Sequence, residues 1–281
     1  MSVAALTVTG MATLPNPLPG LTTDPSGRSL GLQLPPGSLI DETEDGPWHE
    51  PLLWHAQQPA SPGTWRALGA QAARAGLLPV LVDLGGSQGG PARWELMPGD
   101  MSYPGDHDAD EVLAEYWEGD AEDELPARLE PFGPDWPGLA PAATPTATPA
   151  ARAASVADSL TDGTRPWPKE PHLALVAARR SADIPAAIGW TGPLNHENDV
   201  ARLCAVLRSW EDRFGIRVVA LGFDTLVVSV AAPPTTPAEA ERVAAEHFAF
   251  CPDTATAHGP DTLRAYAAEL VDAPLWTFWW D

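Results

Sequence analysis

Residues 216–232 read IRVVALGFDTLVVSVAA, and their pattern decides the fold. Two β-branched, aliphatic runs flank Phe223-Asp224, which predicts two strands joined by a tight hairpin. Neither run alternates apolar with polar residues. Val218 and Ala220 are expected on one face, Val219 and Leu221 on the other. A strand apolar on both faces is covered by a layer on each side, so the flanking sequence must supply two layers.

Upstream, HLALVAAR (172–179) predicts an apolar strand. Asn198 is expected to cap a helix running to Phe214, with Val200, Leu203, Leu207, Trp210 and Phe214 on one face and Gly215 as its stop. Downstream, Thr236 and Glu239 suit a capping box with Pro237 as first helical residue. A further helix is expected over about 261–270, and LWTFWWD (275–281) as an aromatic strand. Apart from that further helix, the order is that of a split βαβ, ferredoxin-like sheet.

Residues 1–60 are rich in Pro and Gly and predict extended segments and turns, with a strand near 30–34. Ser61 and Pro62 open a predicted helix bearing Trp65, Leu68, Ala72 and Ala75, ended by Gly76 and followed by the buried strand LLPVLVDL. Residues 100–135 are densely acidic, with a helix expected around Val112, Leu113, Tyr116 and Trp117. GLAPAATPTATPAARAA (138–154) has the composition of a flexible linker. The expected organisation is α+β. Residues 1–135 form an N-terminal α/β region with the acidic segment, 136–170 a Pro/Ala/Thr-rich linker, and 171–281 a C-terminal α+β domain. The N-terminal region should pack on the second face of the C-terminal sheet.

The 281 residues carry 38 acidic and 16 basic side chains, for a net charge of −22. That charge repels phosphate backbones and anionic lipid, so neither nucleic acid nor membrane is an expected partner. A basic protein would be attracted. The opening MSVAALTVTGMATLPNPLPG lacks a basic stretch and is broken by Pro15, Pro17 and Pro19, so no secretory signal is expected. Two cysteines, Cys204 and Cys251, make no disulfide framework, and the expected location is cytoplasmic. The preference for Ala, Arg and Pro over Lys, Ile and Asn points to a high-GC, actinobacterial source; Lys169 is the single lysine.

The densest cluster of chemistry-bearing residues is EHFAFCPD (246–253). His247 and Cys251 are four apart and share a helix face. They suit a thiol nucleophile and its base, with Glu246 or Asp253 as orienting carboxylate. One Cys–His spacing without a surrounding signature favours instead a packed helix end, with Pro252 as the stop and Glu246 facing outward beside Arg242. Zinc needs about four ligands. Cys251 and His247 supply two, and His258 and Cys204 are the nearest others, so neither metal nor cofactor is expected. DHDADE (106–111) fails as a calcium loop, because Glu111 stands at the glycine position and Trp117 where the last glutamate belongs. Asn195, His196, Glu197 and Asp199 read as the start of a helix. No phosphate loop, GxSxG elbow or HExxH motif is present. There are 12 tryptophans, and alternation turns Trp276, Phe278 and Trp280 one way and Trp279 the other.

RSWEDRFG (208–215), GFDTLVVSVAAPP (222–234), AAEHFAFCPD (244–253) and FWWD (278–281) together resemble a bacterial family, the domain-of-unknown-function family 4253. The resemblance covers about residues 184–281, and TWRALGAQAARAGLLPVLV (64–82) resembles the segment preceding the domain in many members. It implies a small soluble bacterial protein and brings no activity or catalytic residues with it. Two functions are therefore expected in outline. One is a protein-binding module, of immunity or regulatory type, facing a basic partner. The other is an enzyme or small-molecule binder with a cleft between the halves, around His247, Cys251, Glu246 and Asp253, with Trp190 and Trp279 in its walls.

Overall fold

The hairpin forms, and it lies inside a sheet built from both halves of the chain. The computed structural model describes residues 15–121, 128–256 and 262–281. The opening stretch 1–14, part of the acidic run (122–127) and His258 lie outside the described residues. Helix α1 (Gly20–Thr23) is followed by strands β1 (Gly37–Ile40), β2 (Glu42–Thr43), β3 (Gly46–Pro47) and β4 (Leu53–Ala56). Helix α2 (Thr64–Arg74) leads into β5 (Leu77–Asp83), and helices α3 (Ala109–Ala121) and α4 (Pro149–Thr161) precede β6 (Pro171–Ala177). Then come α5 (Ile184–Ile188), α6 (Val200–Phe214), β7 (Arg217–Leu221) and β8 (Thr225–Ser229). Helices α7 (Pro237–Phe250), α8 (Pro252–Thr256) and α9 (Leu263–Leu270) lead to β9 (Leu275–Trp279).

Seven strands make one mixed sheet in the order β1-β4-β6-β5-β7-β8-β9, while β2 and β3 pair with each other. Neighbours run antiparallel except β5 and β7, which are parallel, with Leu81 opposite Ala220 and Val82 opposite Leu221. The C-terminal element order is the expected one, but the pairing is not that of a ferredoxin-like sheet. β5, from the N-terminal half, fills the place between β6 and β7, and β9 pairs with β8. The LLPVLVD run of β5 is as apolar as its neighbours and suits a central, doubly covered position.

Side chains on the sheet divide between two cores. Val80, Val82, Ala174, Val176, Leu226 and Val228 face α3, α5, α6, α7 and α9. Leu81, Leu173, Leu175 and Val227 face α2, α4 and the segment around Leu18, Leu21 and Leu32. A register shift between Val218 and Ala220 breaks the expected alternation in β7. Val218 and Leu221 share the first core, Val219 and Ala220 the second. The second layer does come partly from the N-terminal half, through α2, but α3 crosses to the first face beside α6 and α7.

The segment expected to be a flexible linker supplies the rest of that layer. Thr148 accepts a hydrogen bond from Ala151 N and caps α4, whose Ala153, Ala154, Val156, Ala157 and Leu160 are buried. Alanine suits a linker, but it is also the best helix former, and its small side chain lets α4 lie close on β7 and β8. Smaller corrections concern helix starts. α2 begins at Thr64 after Gly63 (φ 89°), not at Pro62. Asp199, not Asn198, caps α6 by accepting from Ala201 N. Residues 28–30 make a 3₁₀ turn rather than a strand near 30–34. The capping box of Thr236 and Glu239 forms as expected.

Helix α7 is enclosed on nearly every side, which overturns the expectation for Glu246. Its carboxylate is fully buried. Arg213 on α6 grips it with Nη1 at 2.7 Å and Nη2 at 2.5 Å. Trp210 Nε1 donates to it at 2.7 Å and Ala140 N at 2.6 Å. Arg213 Nη1 also donates to Ala140 O, and Ala143 N to Arg213 O. Residues 140–143 thus lie across α6 and α7 and close the face that a helical wheel leaves open. Glu246→Ala strands Arg213 beside the core, and a buried pair broken on one side costs about 3–5 kcal/mol. Urea denaturation should show a loss of that order for Glu246→Ala, and a smaller one for Glu246→Gln, which keeps an acceptor for Trp210.

Candidate functional site

The residues of EHFAFCPD point in four directions. Glu246 is bound to Arg213. His247 is sealed in a ring cluster, with ring centroids 4.5 Å from Trp276, 4.9 Å from Phe278 and 5.1 Å from Trp210. Its Nδ1 meets the Tyr266 hydroxyl at 2.9 Å, and its Nε2 has no hydrogen-bond partner among the described residues. Burial pulls its pKa down to about 3, so the ring is neutral. Cys251 donates from Sγ to Trp279 O at 3.0 Å and lies 3.1 Å from Thr254 Oγ1. Burial pushes that thiol up to about 12. Asp253 accepts from Asp281 N. The only hydrogen bond His247 and Cys251 exchange is the helical one from Cys251 N to His247 O. A neutral imidazole and a protonated thiol, each bonded elsewhere, make a helix anchor rather than a nucleophile and base. Pro252 ends α7 and opens α8.

The tryptophans are placed as the alternation of β9 requires. Trp276, Phe278 and Trp280 are buried in the first core, while Trp279 is half-buried on the other side. Trp279 lines a cleft of about 270 Å³ where β5 and β7, running parallel, both end. Trp190 lies beneath it, buried, and its Nε1 donates to Gly222 O at 2.9 Å. Trp190 therefore supports the β7–β8 turn and does not face the cleft.

The carboxyl ends of parallel strands are where open α/β sheets bind ligands, and this one is built with care. Asp83, the last residue of β5, accepts from Gly85 N at 3.1 Å and Glu170 N at 2.8 Å. That brings Lys169 beside the strand end. Gly85 makes the approach possible, since a Cβ there would lie 2.8 Å from Lys169 Cβ and 3.0 Å from Glu170 N. The loop GGSQGG (85–90) curls back through a bond from Gly89 N to Gly86 O and is held by Trp94 Nε1 on Gly89 O. Opposite, Asp224 is fixed by Thr225 Oγ1 at 2.9 Å and Trp279 Nε1 at 3.2 Å. Trp167 and the exposed Phe223 complete the walls. Among these, Trp279 is the residue that the sequence reading places in a cleft wall. The available signal was a glycine-rich loop directly after an apolar strand, together with the one lysine.

Among the described residues, no three His, Cys, Asp or Glu side chains gather as a metal site, and no helix is long and apolar enough to cross a membrane.

The family model described as a domain of unknown function (DUF4253) matches residues 172–281, from β6 to the end of the chain. The C-terminal part of the chain therefore carries this domain, and β5 and the GGSQGG loop lie outside the match. No curated protein and no solved structure matches the chain.

Two measurements check the account of the sealed cluster. In the folded protein neither Cys251 nor Cys204, whose thiol is also raised by burial, should be alkylated by iodoacetamide as fast as a free model thiol. Both should react in denaturant, as intact mass will show. His247 stays neutral in the fold down to about pH 3, but takes a proton near 6.5 when unfolded. Below 6.5 the unfolded state binds the extra proton, so stability falls with pH by about 1.4 kcal/mol per unit for this group. Urea midpoints at pH 7 and pH 5 should differ less in His247→Gln than in the parent.

Proposed function

We infer that the protein binds a small zwitterion, of about amino-acid size, in the cleft at the ends of β5 and β7. The observation that carries this reading is one lysine and one oriented carboxylate, Lys169 and Asp224, in the same aromatic-walled cleft. Lys169 answers a ligand carboxylate. Asp224, pinned by Thr225 and Trp279, answers an ammonium group, which the face of Trp279 also favours. Trp167 and Phe223 suit an apolar body, and the volume admits a ligand of that size.

A protein-binding role has less to rest on. Tryptophan is enriched at binding hot spots, yet here eight tryptophans are buried and the other four half-buried, accounting for all 12. Packing uses them. The exposed large apolar side chains among the described residues are Tyr103, Leu194 and Phe223, which form no aromatic patch of the kind that marks an interface.

Ligand-observed NMR and calorimetry against the free amino acids test the proposal. Saturable binding of at least one is expected, weakened at least tenfold (about 1.4 kcal/mol) in Lys169→Ala and Asp224→Asn. Failure of every amino acid to bind the folded protein, or binding indifferent to both substitutions, rules the reading out.

A further inference from the structure

At the opposite end of β5 a second cavity, of about 400 Å³, opens between residues 98–104 and the end of β6. It has no lining residue in common with the first cleft. Trp48, Met101 and Tyr103 give it an apolar wall, while Arg179 and Arg208 bring positive charge. Arg208 is held in place by a two-pronged ion pair with Asp183, and its guanidinium lies 5.0 Å from the centre of the Tyr103 ring.

Ser102 is exposed on the same wall, and its Oγ lies 2.6 Å from His107 Nε2. Asp199 Oδ2 lies 3.8 Å from that same nitrogen. Asp199 Oδ1 accepts from Ser102 N and Ala201 N, fastening the serine loop to the first turn of α6. The DHDADE stretch, which lacks the calcium-loop pattern, thus divides its work. Asp108 accepts from Asp110 N and Glu111 N and caps α3, and His107 turns toward the cavity serine.

We propose that Ser102 is a nucleophile for hydrolysis of small carboxylic esters, with His107 as its general base. Ser102 Oγ attacks the ester carbonyl carbon as its proton passes to His107 Nε2, and the carbonyl π pair moves onto oxygen. On collapse, the bond to the alcohol oxygen breaks and that oxygen takes the proton from His107. Water then attacks the acyl-serine, again giving its proton to His107. The Oγ–carbon bond breaks, and the proton returns to Ser102. Ester and water become acid and alcohol. The imidazolium gains an ion pair with Asp199 while it exists. The carboxylate sits at the nitrogen that takes the proton, not at Nδ1, so it stabilises charge without orienting the ring as in a Ser-His-Asp triad. Arg179 and Arg208 line the wall together with Asp183, which neutralises Arg208, and Trp48 and Tyr103 suit an apolar acyl group.

A fluorophosphonate probe, applied to the full chain at neutral pH and mapped by peptide mass spectrometry, tests this. Ser102 should be modified, Ser102→Ala should remove the modification, and His107→Gln should slow it by about a hundredfold or more. Near-UV circular dichroism of both variants should match the parent. An unmodified Ser102 in the folded parent overturns the proposal by itself. So does labelling at an undiminished rate in a folded His107→Gln, which would leave a serine in a hydrogen-bonded loop and no base.

Discussion

A carboxylate sealed from water must have every charge and lone pair answered, and Glu246 meets that demand with donors from three residues, two on α6 and one in the 140–143 strap. Replacing such a pair with apolar groups is often neutral in energy, but leaving it half-made is costly. Its effect is therefore on arrangement. With Arg213 and Trp210 committed, α6 and α7 have one relative position, and residues 140–143 must lie over them. His247, one residue on, is then pressed against Trp276 and Phe278 of β9, and Cys251 binds the backbone of Trp279. The inward rings of β9 are fixed by this chain of contacts, and so is the outward ring, Trp279, at the cleft.

The second organising fact is the parallel pairing of β5 with β7. It places strands from both sides of the expected boundary next to each other, and it brings the two strand ends to one edge of the sheet. The GGSQGG loop and Lys169 come from outside the matched family region, while Phe223, Asp224 and Trp279 come from within it. A ligand held there would contact both. At the other end of β5, Asp199 at the start of α6 holds the loop that carries Ser102.

Much of this was legible in the sequence. The doubly apolar hairpin, the apolar stripe of α6, the capping box of α7 and the split of LWTFWWD into inward and outward rings are local or periodic signals, and each appears as read. What failed was long-range. Alternation gave no sign of the bulge in β7, and composition made 138–154 look like a linker because alanine serves loop and helix alike. Nothing local reveals that β5 inserts between β6 and β7, since several runs are equally apolar and any could be central. Glu246 looked exposed because a helical wheel shows one helix, not the strap that covers it. EHFAFCPD crowds polar side chains together in sequence, and spacing separates all but His247 and Cys251, whereas the fold sends even those two to different partners. The cleft was half visible, through Trp279, and its glycine loop and lysine were separated from that residue by over a hundred positions.

The central claim is that the two halves form one cooperative sheet joined at β5 and β7. Native-state hydrogen exchange across a range of low denaturant concentrations tests it most directly. Amides of β5, β6, β7 and β8 should exchange through the same global opening, with one common free energy and one denaturant dependence. Protection of β7 and β8 that persists while β5 and β6 open at lower free energy would contradict the account. The cleft would then lie between two separately folding units.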